Sequence, residues 1–248
     1  MNTTWAAPAR NWLNTGLGFF YPETCQICKE KPSTAVEGFI CGECRKEVRY
    51  LQKPFCHRCG LPFEGEISTV FACANCSDVE LHFSYARAPV VFSGLMLEVI
   101  HRYKYQQALW FEPFLTQLLV RSAGPVLSGE KPDMVVPVPL HPVKEREREF
   151  NQAGRLAGHL AAALGVPLNT KVQRRVSFTI TQTALSRKDR AATMRGDYGV
   201  PKGVRLDGRR IVLVDDVLTT GATTNACAKV LRAAGAAEVC VWTVARGI

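Results

Sequence analysis

Apolar positions fall into two textures along this chain. Between Cys25 and residue 80 they are sparse, with Pro, Gly and Glu set between paired cysteines. From about Phe83 onward they recur in runs that alternate between strand and helix spacing. Ala86–Phe92 ends in Val90-Val91-Phe92 and predicts a strand. Leu95, Met96, Val99, Ile100 and Tyr103 then recur at helical spacing, as do Phe111, Phe114, Leu115, Leu118 and Leu119. Met134–Val138 is a short apolar run bounded by Pro132 and Pro139. Ala153, Leu156, Ala157, Leu160, Ala161 and Leu164 form one face of a helix that stops at Gly165. Ile211–Val214 is a further buried strand. Ala226, Cys227, Val230, Leu231 and Ala234 face inward from the helix after it, and Val239–Val244 is the last strand. Strands and helices in this order imply an α/β fold, a parallel sheet flanked by helical crossovers. The polar, basic stretch from Lys171 to Arg205 is long for a crossover, the mark of a functional or disordered insertion.

The organisation expected is an N-terminal segment 1–24, a cysteine-rich module over 25–80 and an α/β domain over 83–248. The first segment carries Trp5, Trp12, Leu13, Leu17, Phe19 and Phe20, but Arg10, Asn11 and Asn14 interrupt it. It lacks the unbroken apolar core of a signal peptide. No run of 18 apolar residues exists, so no membrane-spanning helix is expected and the protein reads as cytoplasmic. A formal net charge of +9 suits an anionic partner such as a phosphate ester or a nucleic acid. Two zinc tetrathiolates, each a net −2, would lower it to about +5.

Eight of the ten cysteines make four C-x-x-C pairs: Cys25/Cys28, Cys41/Cys44, Cys56/Cys59 and Cys73/Cys76, with spacers of 12, 11 and 13 residues. One tight turn aims two sulfurs at one ion, and two turns close a tetrahedral Cys₄ site, so four turns predict two structural Zn²⁺ ions. Sequential pairing of the knuckles closes shorter loops than a cross-braced pairing, and both remain open. Gly42 and Gly60 suit knuckle turns that need positive φ. His57 reads as an exposed spacer. A disulfide framework would need an oxidising compartment, which nothing here suggests. With few apolar residues, the module should depend on metal to fold. Cys227 and Cys240 read as small buried hydrophobes.

The segment Val212–Thr223 carries a candidate chemistry. A buried strand delivers Asp215 and Asp216, and Thr219-Thr220-Gly221-Ala222-Thr223 then turns into a helix. Amides at a helix start form an anion cradle, and ligands of open α/β sheets bind at the carboxyl ends of strands. No Gly-Lys-Ser/Thr and no G-x-G-x-x-G occurs here, which excludes a Walker loop and a dinucleotide fingerprint.

This segment resembles the phosphoribosyl-pyrophosphate (PRPP) motif of type I phosphoribosyltransferases. The resemblance widens with Phe20-Tyr21-Pro22, the knuckles, Pro137-Val138-Pro139-Leu140, Phe150-Asn151-Gln152 and Thr179…Gln182…Leu185…Arg190. In that order they are similar to the ComF family, which includes competence proteins and GntX-like proteins linked to use of DNA as a nutrient. The resemblance implies a double zinc ribbon-like module ahead of a phosphoribosyltransferase-like domain. It implies that Asp215 and Asp216 hold ribose hydroxyls, that Thr219–Thr223 hold the 5′-phosphate, and that Mg²⁺ accompanies PRPP. It places Arg146 and Arg148, beside Lys144, in a pyrophosphate loop, and Gln182, Arg187 and Arg190 in an active-site lid. Two positions depart from the family. Glu149 stands where glycine is usual, and Thr219 stands where several base-specific enzymes carry a proton-accepting acid. The activity implied is transfer of ribosyl phosphate to an unnamed acceptor, in uptake or utilisation of exogenous DNA. The competing expectation is a non-catalytic, zinc-containing adaptor that holds single-stranded DNA for the DNA-import machinery, with residues 1–24 as a docking segment. Lys104, between Tyr103 and Tyr105, reads either as a phosphate or nucleic-acid contact or as plain helix surface.

Overall fold

A computed structural model describes residues 23–63, 65, 69–77, 79–176 and 197–248. Two short helices, α1 (Gly42–Arg45) and α2 (Ala74–Ser77), start within the second and fourth knuckles and carry their second cysteines. The remainder runs β1 (Ala86–Arg87), β2 (Val90–Val91), α3 (Gly94–Tyr105), α4 (Glu112–Glu130), β3 (Met134–Pro137), α5 (Pro142–Arg148), α6 (Gln152–Leu164), β4 (Arg174–Arg175), β5 (Tyr198–Gly199), β6 (Arg210–Leu218), α7 (Ala222–Ala233) and β7 (Glu238–Arg246). Among the described residues no helix is long and apolar enough to cross a membrane.

The main sheet is parallel throughout. β7 pairs with β6, β6 with β3, and β1 and β2 both lie along the other side of β7. The edge strand expected over Ala86–Phe92 is therefore broken, because Pro89 has no N–H to donate to a ladder. β6 overruns the expected Ile211–Val214 at both ends, so Asp215 and Asp216 lie inside the strand.

The pleat sorts this strand's residues between two helical layers. Val212 and Val214 join the core with α3, α4 and α6, whereas Ile211 and Leu213 join the core with α7. Continued by two residues, the alternation sends Asp216 to the α3 side and Asp215 to the α7 side.

Candidate functional site

Each pair of successive knuckles forms one cluster: Cys25, Cys28, Cys41 and Cys44, then Cys56, Cys59, Cys73 and Cys76, with the sulfurs of each cluster within 4.8 Å of one another. Sequential pairing is therefore the arrangement found. A zinc–sulfur bond of about 2.3 Å gives a tetrahedron edge of about 3.8 Å. The Sγ separations match it: 3.8 Å for Cys25–Cys44, 3.9 Å for Cys28–Cys41, 3.9 Å for Cys56–Cys76 and 3.6 Å for Cys59–Cys73. The donor sets fit structural zinc, with no position left for chemistry.

The two clusters repeat one design. The Cys41 amide lies 3.3 Å from Cys25 Sγ, and the Cys73 amide lies 3.3 Å from Cys56 Sγ. Burial pushes the Cys25 and Cys56 thiols up, but these and neighbouring amides outweigh it and bring both down to about 6. The residue after the leading pair is left-handed in both, Lys29 at φ 63° and Gly60 at φ 66°. Gly42 instead opens α1 and needs no glycine conformation. His57 is half-buried, with Nδ1 2.6 Å from the Phe71 carbonyl, and it lies outside the cluster.

The phosphate-loop candidate closes β6. Gly221 caps α7 at φ 78°, ψ 2°, a conformation that glycine adopts without penalty. The Ala222 amide reaches Thr220 Oγ1 at 3.3 Å, and Thr224 Oγ1 donates to the Gly221 carbonyl at 3.1 Å. The acids separate as the pleat requires. Asp216 is buried, and Lys104 Nζ from α3 lies 2.6 Å from its Oδ2. Desolvation pulls the Lys104 ammonium down, but Asp216 and Asp215 outweigh it and hold its pKa above the ordinary value. Asp215 shares the opposite face with the buried Cys227 and Tyr198, whose titration it influences. Burial, then the neighbouring Asp216, push its carboxyl well above the usual range, against the pull of Lys104.

Basic residues gather near these acids. Arg148 stacks on Tyr105 at 4.8 Å, one residue from Lys104. Burial lowers the Lys144 pKa, and nearby Arg175, Arg148 and Lys104 lower it further, which places four cations in one neighbourhood. Arg146 is exposed and turns back to the Pro142 carbonyl at 3.4 Å, away from this group. Glu149 adopts φ 64°, ψ −5°, the left-handed conformation that ends α5, which is the physical reason a glycine suits that place. Phe150 packs edge-on against Tyr103 at 5.4 Å. Asn151 caps α6 and donates to the Val138 carbonyl at 3.2 Å, so this motif supports the site from behind. Phe20, Tyr21, Pro22, Gln182, Arg187 and Arg190 lie outside the described residues.

Sequence reasoning gave Lys104 no firm role and missed Arg175 and Arg246. The signal for Arg246 was a charge closing an apolar strand. A cavity of about 690 Å³ lies away from the phosphate loop, between α4, the β1 edge and the stretch joining the two ribbons, lined by Tyr50, Phe55, Arg87 and Arg121 among others.

A double zinc ribbon domain family matches residues 16–78, and a phosphoribosyl transferase domain family matches residues 151–248. The chain is 32% identical over 235 residues to competence protein F of Haemophilus influenzae, covering 92% of this chain and 98% of that protein. It is 28% identical over 228 residues to the DNA utilization protein YhgH of Escherichia coli, covering 91% and 97%. It is 27% identical over 221 residues to competence protein ComFC of Bacillus subtilis, covering 84% of each.

Proposed function

The chain belongs to the ComF family of competence protein F, and we propose that it binds PRPP, or a related ribose phosphate, in the uptake or utilisation of exogenous DNA. The observation that carries this reading is the segment Asp215–Thr223, where two carboxylates, a left-handed glycine and a helix N-terminus occur together. In this reading the ribose lies across the end of β6, its hydroxyls donating to Asp215 on one face and Asp216 on the other, and the 5′-phosphate accepts from amides and hydroxyls over Thr219–Thr223. Lys104 neutralises Asp216 in the free protein and turns to the ligand's phosphates when it binds. Arg148 and Lys144 supply positive charge for the pyrophosphate. The zinc module over 25–80 and the domain over 83–248 are the working units.

Mg²⁺ bound with PRPP would neutralise charge on the leaving pyrophosphate, and the Asp216 carboxylate would help hold it once Lys104 turns to the ligand. Turnover would break the bond from ribose C1 to pyrophosphate, which leaves with the electron pair. The acceptor's own pair would form the new bond, and its proton must go elsewhere. Thr219 cannot take that proton at neutral pH, so the acceptor is one that needs no base from this loop.

Calorimetric titration of PRPP with Mg²⁺ tests the binding. The wild type should give a saturable heat. Asp215→Asn combined with Asp216→Asn should bind at least about 10-fold more weakly, the loss of a charge-assisted hydrogen bond at Asp216 and of a neutral one at Asp215. Unchanged affinity would remove the reading. Pyrophosphate release, measured with and without single-stranded DNA, separates a transferase from a binding protein. Salt-dependent retention of DNA without release favours the adaptor.

A further inference from the structure

The phosphate loop is tied to the second cysteine cluster by one buried side chain, Arg246, the last residue of β7. Its Nε donates to the Cys59 carbonyl at 3.0 Å, and its Nη2 lies 3.6 Å from Cys59 Sγ. Its Nη1 donates to the carbonyls of Thr219 at 2.6 Å and Leu218 at 3.1 Å, and to that of Gly247. No carboxylate is among these partners. A guanidinium does not shed its proton, and an uncompensated charge held away from water is costly. Among its partners the one group able to carry negative charge is the Cys59 sulfur. Four thiolates around one Zn²⁺ leave a net −2, so the occupied cluster supplies the counter-charge that the buried arginine needs.

The contact also fixes where the loop's donors point. Peptide units are planar and trans, so each N–H is directed opposite to the carbonyl of its own unit. With the Leu218 and Thr219 carbonyls turned to Arg246, the Thr219 and Thr220 amides are turned away from it. A second contact keeps the ribbon in register: the Ala86 amide donates to the Arg58 carbonyl at 2.7 Å, and β1 pairs with β7. A Cβ at Gly60 would come within 2.9 Å of the Ala86 carbonyl, so the approach is close.

We infer that Arg246 is a positioning residue through which metal occupancy of the second ribbon sets the orientation of the phosphate loop. The ligand consequence rests on the PRPP reading; the loop consequence stands without it.

Amide hydrogen exchange on the full chain tests this, with zinc content and PRPP titration alongside. Arg246→Gln should keep two zinc ions per chain, yet the amides of residues 219–224 should exchange about 10-fold faster, one hydrogen bond's worth. Cys76→Ser, which does not touch Arg246, should lose one zinc and speed up the same amides. PRPP affinity should fall by a similar factor in both. If the wild type binds no PRPP but the exchange results hold, the ribose-phosphate reading falls and the coupling stands. Unchanged loop exchange in either variant overturns the coupling. So does a loss of protection that extends equally to β3 and α6, because that is general unfolding.

Discussion

Two single residues carry costs that the free protein should reveal. Asp215 has its carboxyl pushed well above the usual range by burial and by Asp216. A carboxyl raised in the folded state favours folding when protonated, and that contribution is lost as pH rises from about 4 through the folded pKa. Asp215→Asn removes the loss. The variant should melt on the order of 2–4 °C above the wild type at neutral pH, with the gap closing toward pH 4. A scanning calorimeter run across that range checks it. Glu149 is exposed and held at φ 64°. Left-handed backbone costs a side-chain-bearing residue roughly 1–2 kcal/mol, and glycine avoids it while losing more chain entropy on folding. Glu149→Gly should therefore raise unfolding stability by about 1 kcal/mol in a urea titration.

At the scale of elements, α3 and β6 meet through one ion pair. The raised Lys104 pKa means that its pair with Asp216 stabilises the fold below about pH 10.4, and that the gain fades as pH climbs through the folded value. Lys104→Met should melt below the wild type from pH 6 to 9, and the difference should narrow beyond pH 10.4. Little of this pair was legible in the sequence. The β6 pattern shows that Asp215 and Asp216 face opposite ways, but no local spacing tells that α3, more than a hundred residues earlier, covers the Asp216 side. By contrast, the knuckles, the α6 stripe and the Thr219–Thr223 turn were readable because short-range chemistry fixes each. Cysteines three apart aim both sulfurs at one ion, the apolar spacing marks the buried face of α6, and a Thr/Gly turn after a buried strand opens a helix. Strand limits were not readable. Pro89 splits the edge strand, while backbone pairing with β7 carries β6 on to Leu218. The Glu149 departure was visible as an oddity, and its φ supplies the reason.

The whole molecule holds its two ribbons in different ways, and this governs what each metal does for stability. Cys25, Cys41 and Cys44, with Ile40 and Val48, belong to the same apolar core as α3, α4 and α6. Arg45 lies over the Phe114 ring at 4.9 Å and reaches Gln117 at 3.1 Å, and Arg102 donates to the Gln26 carbonyl at 2.7 Å. A Cβ on Gly38 would come within 2.8 Å of the Phe114 backbone, so the ribbon and α4 are in intimate contact. The second ribbon buries Cys56, Cys59 and Cys73 in a small core of its own with Leu61 and Phe63. Its attachments include Arg246, the Ala86 edge, Arg87 over the Phe55 ring at 5.0 Å and Arg58 donating to the Leu81 carbonyl at 3.5 Å, all at polar or edge contacts and none through the shared apolar core. Cooperative units follow shared cores, because a core that opens exposes every residue that lines it. Cys28→Ser, in the first ribbon, should therefore drag the domain down with it and lower the main melting transition by on the order of 10 °C, several kcal/mol in a chain of this size. Cys76→Ser should lower that transition by less than half as much, the share that Arg246 loses with its counter-charge, while the stretch around Cys56–Cys76 becomes a protease site. Calorimetry paired with limited proteolysis reads both. Equal melting shifts for the two variants would mean that the ribbons form one cooperative unit, and that the break between the two cores carries no energetic boundary.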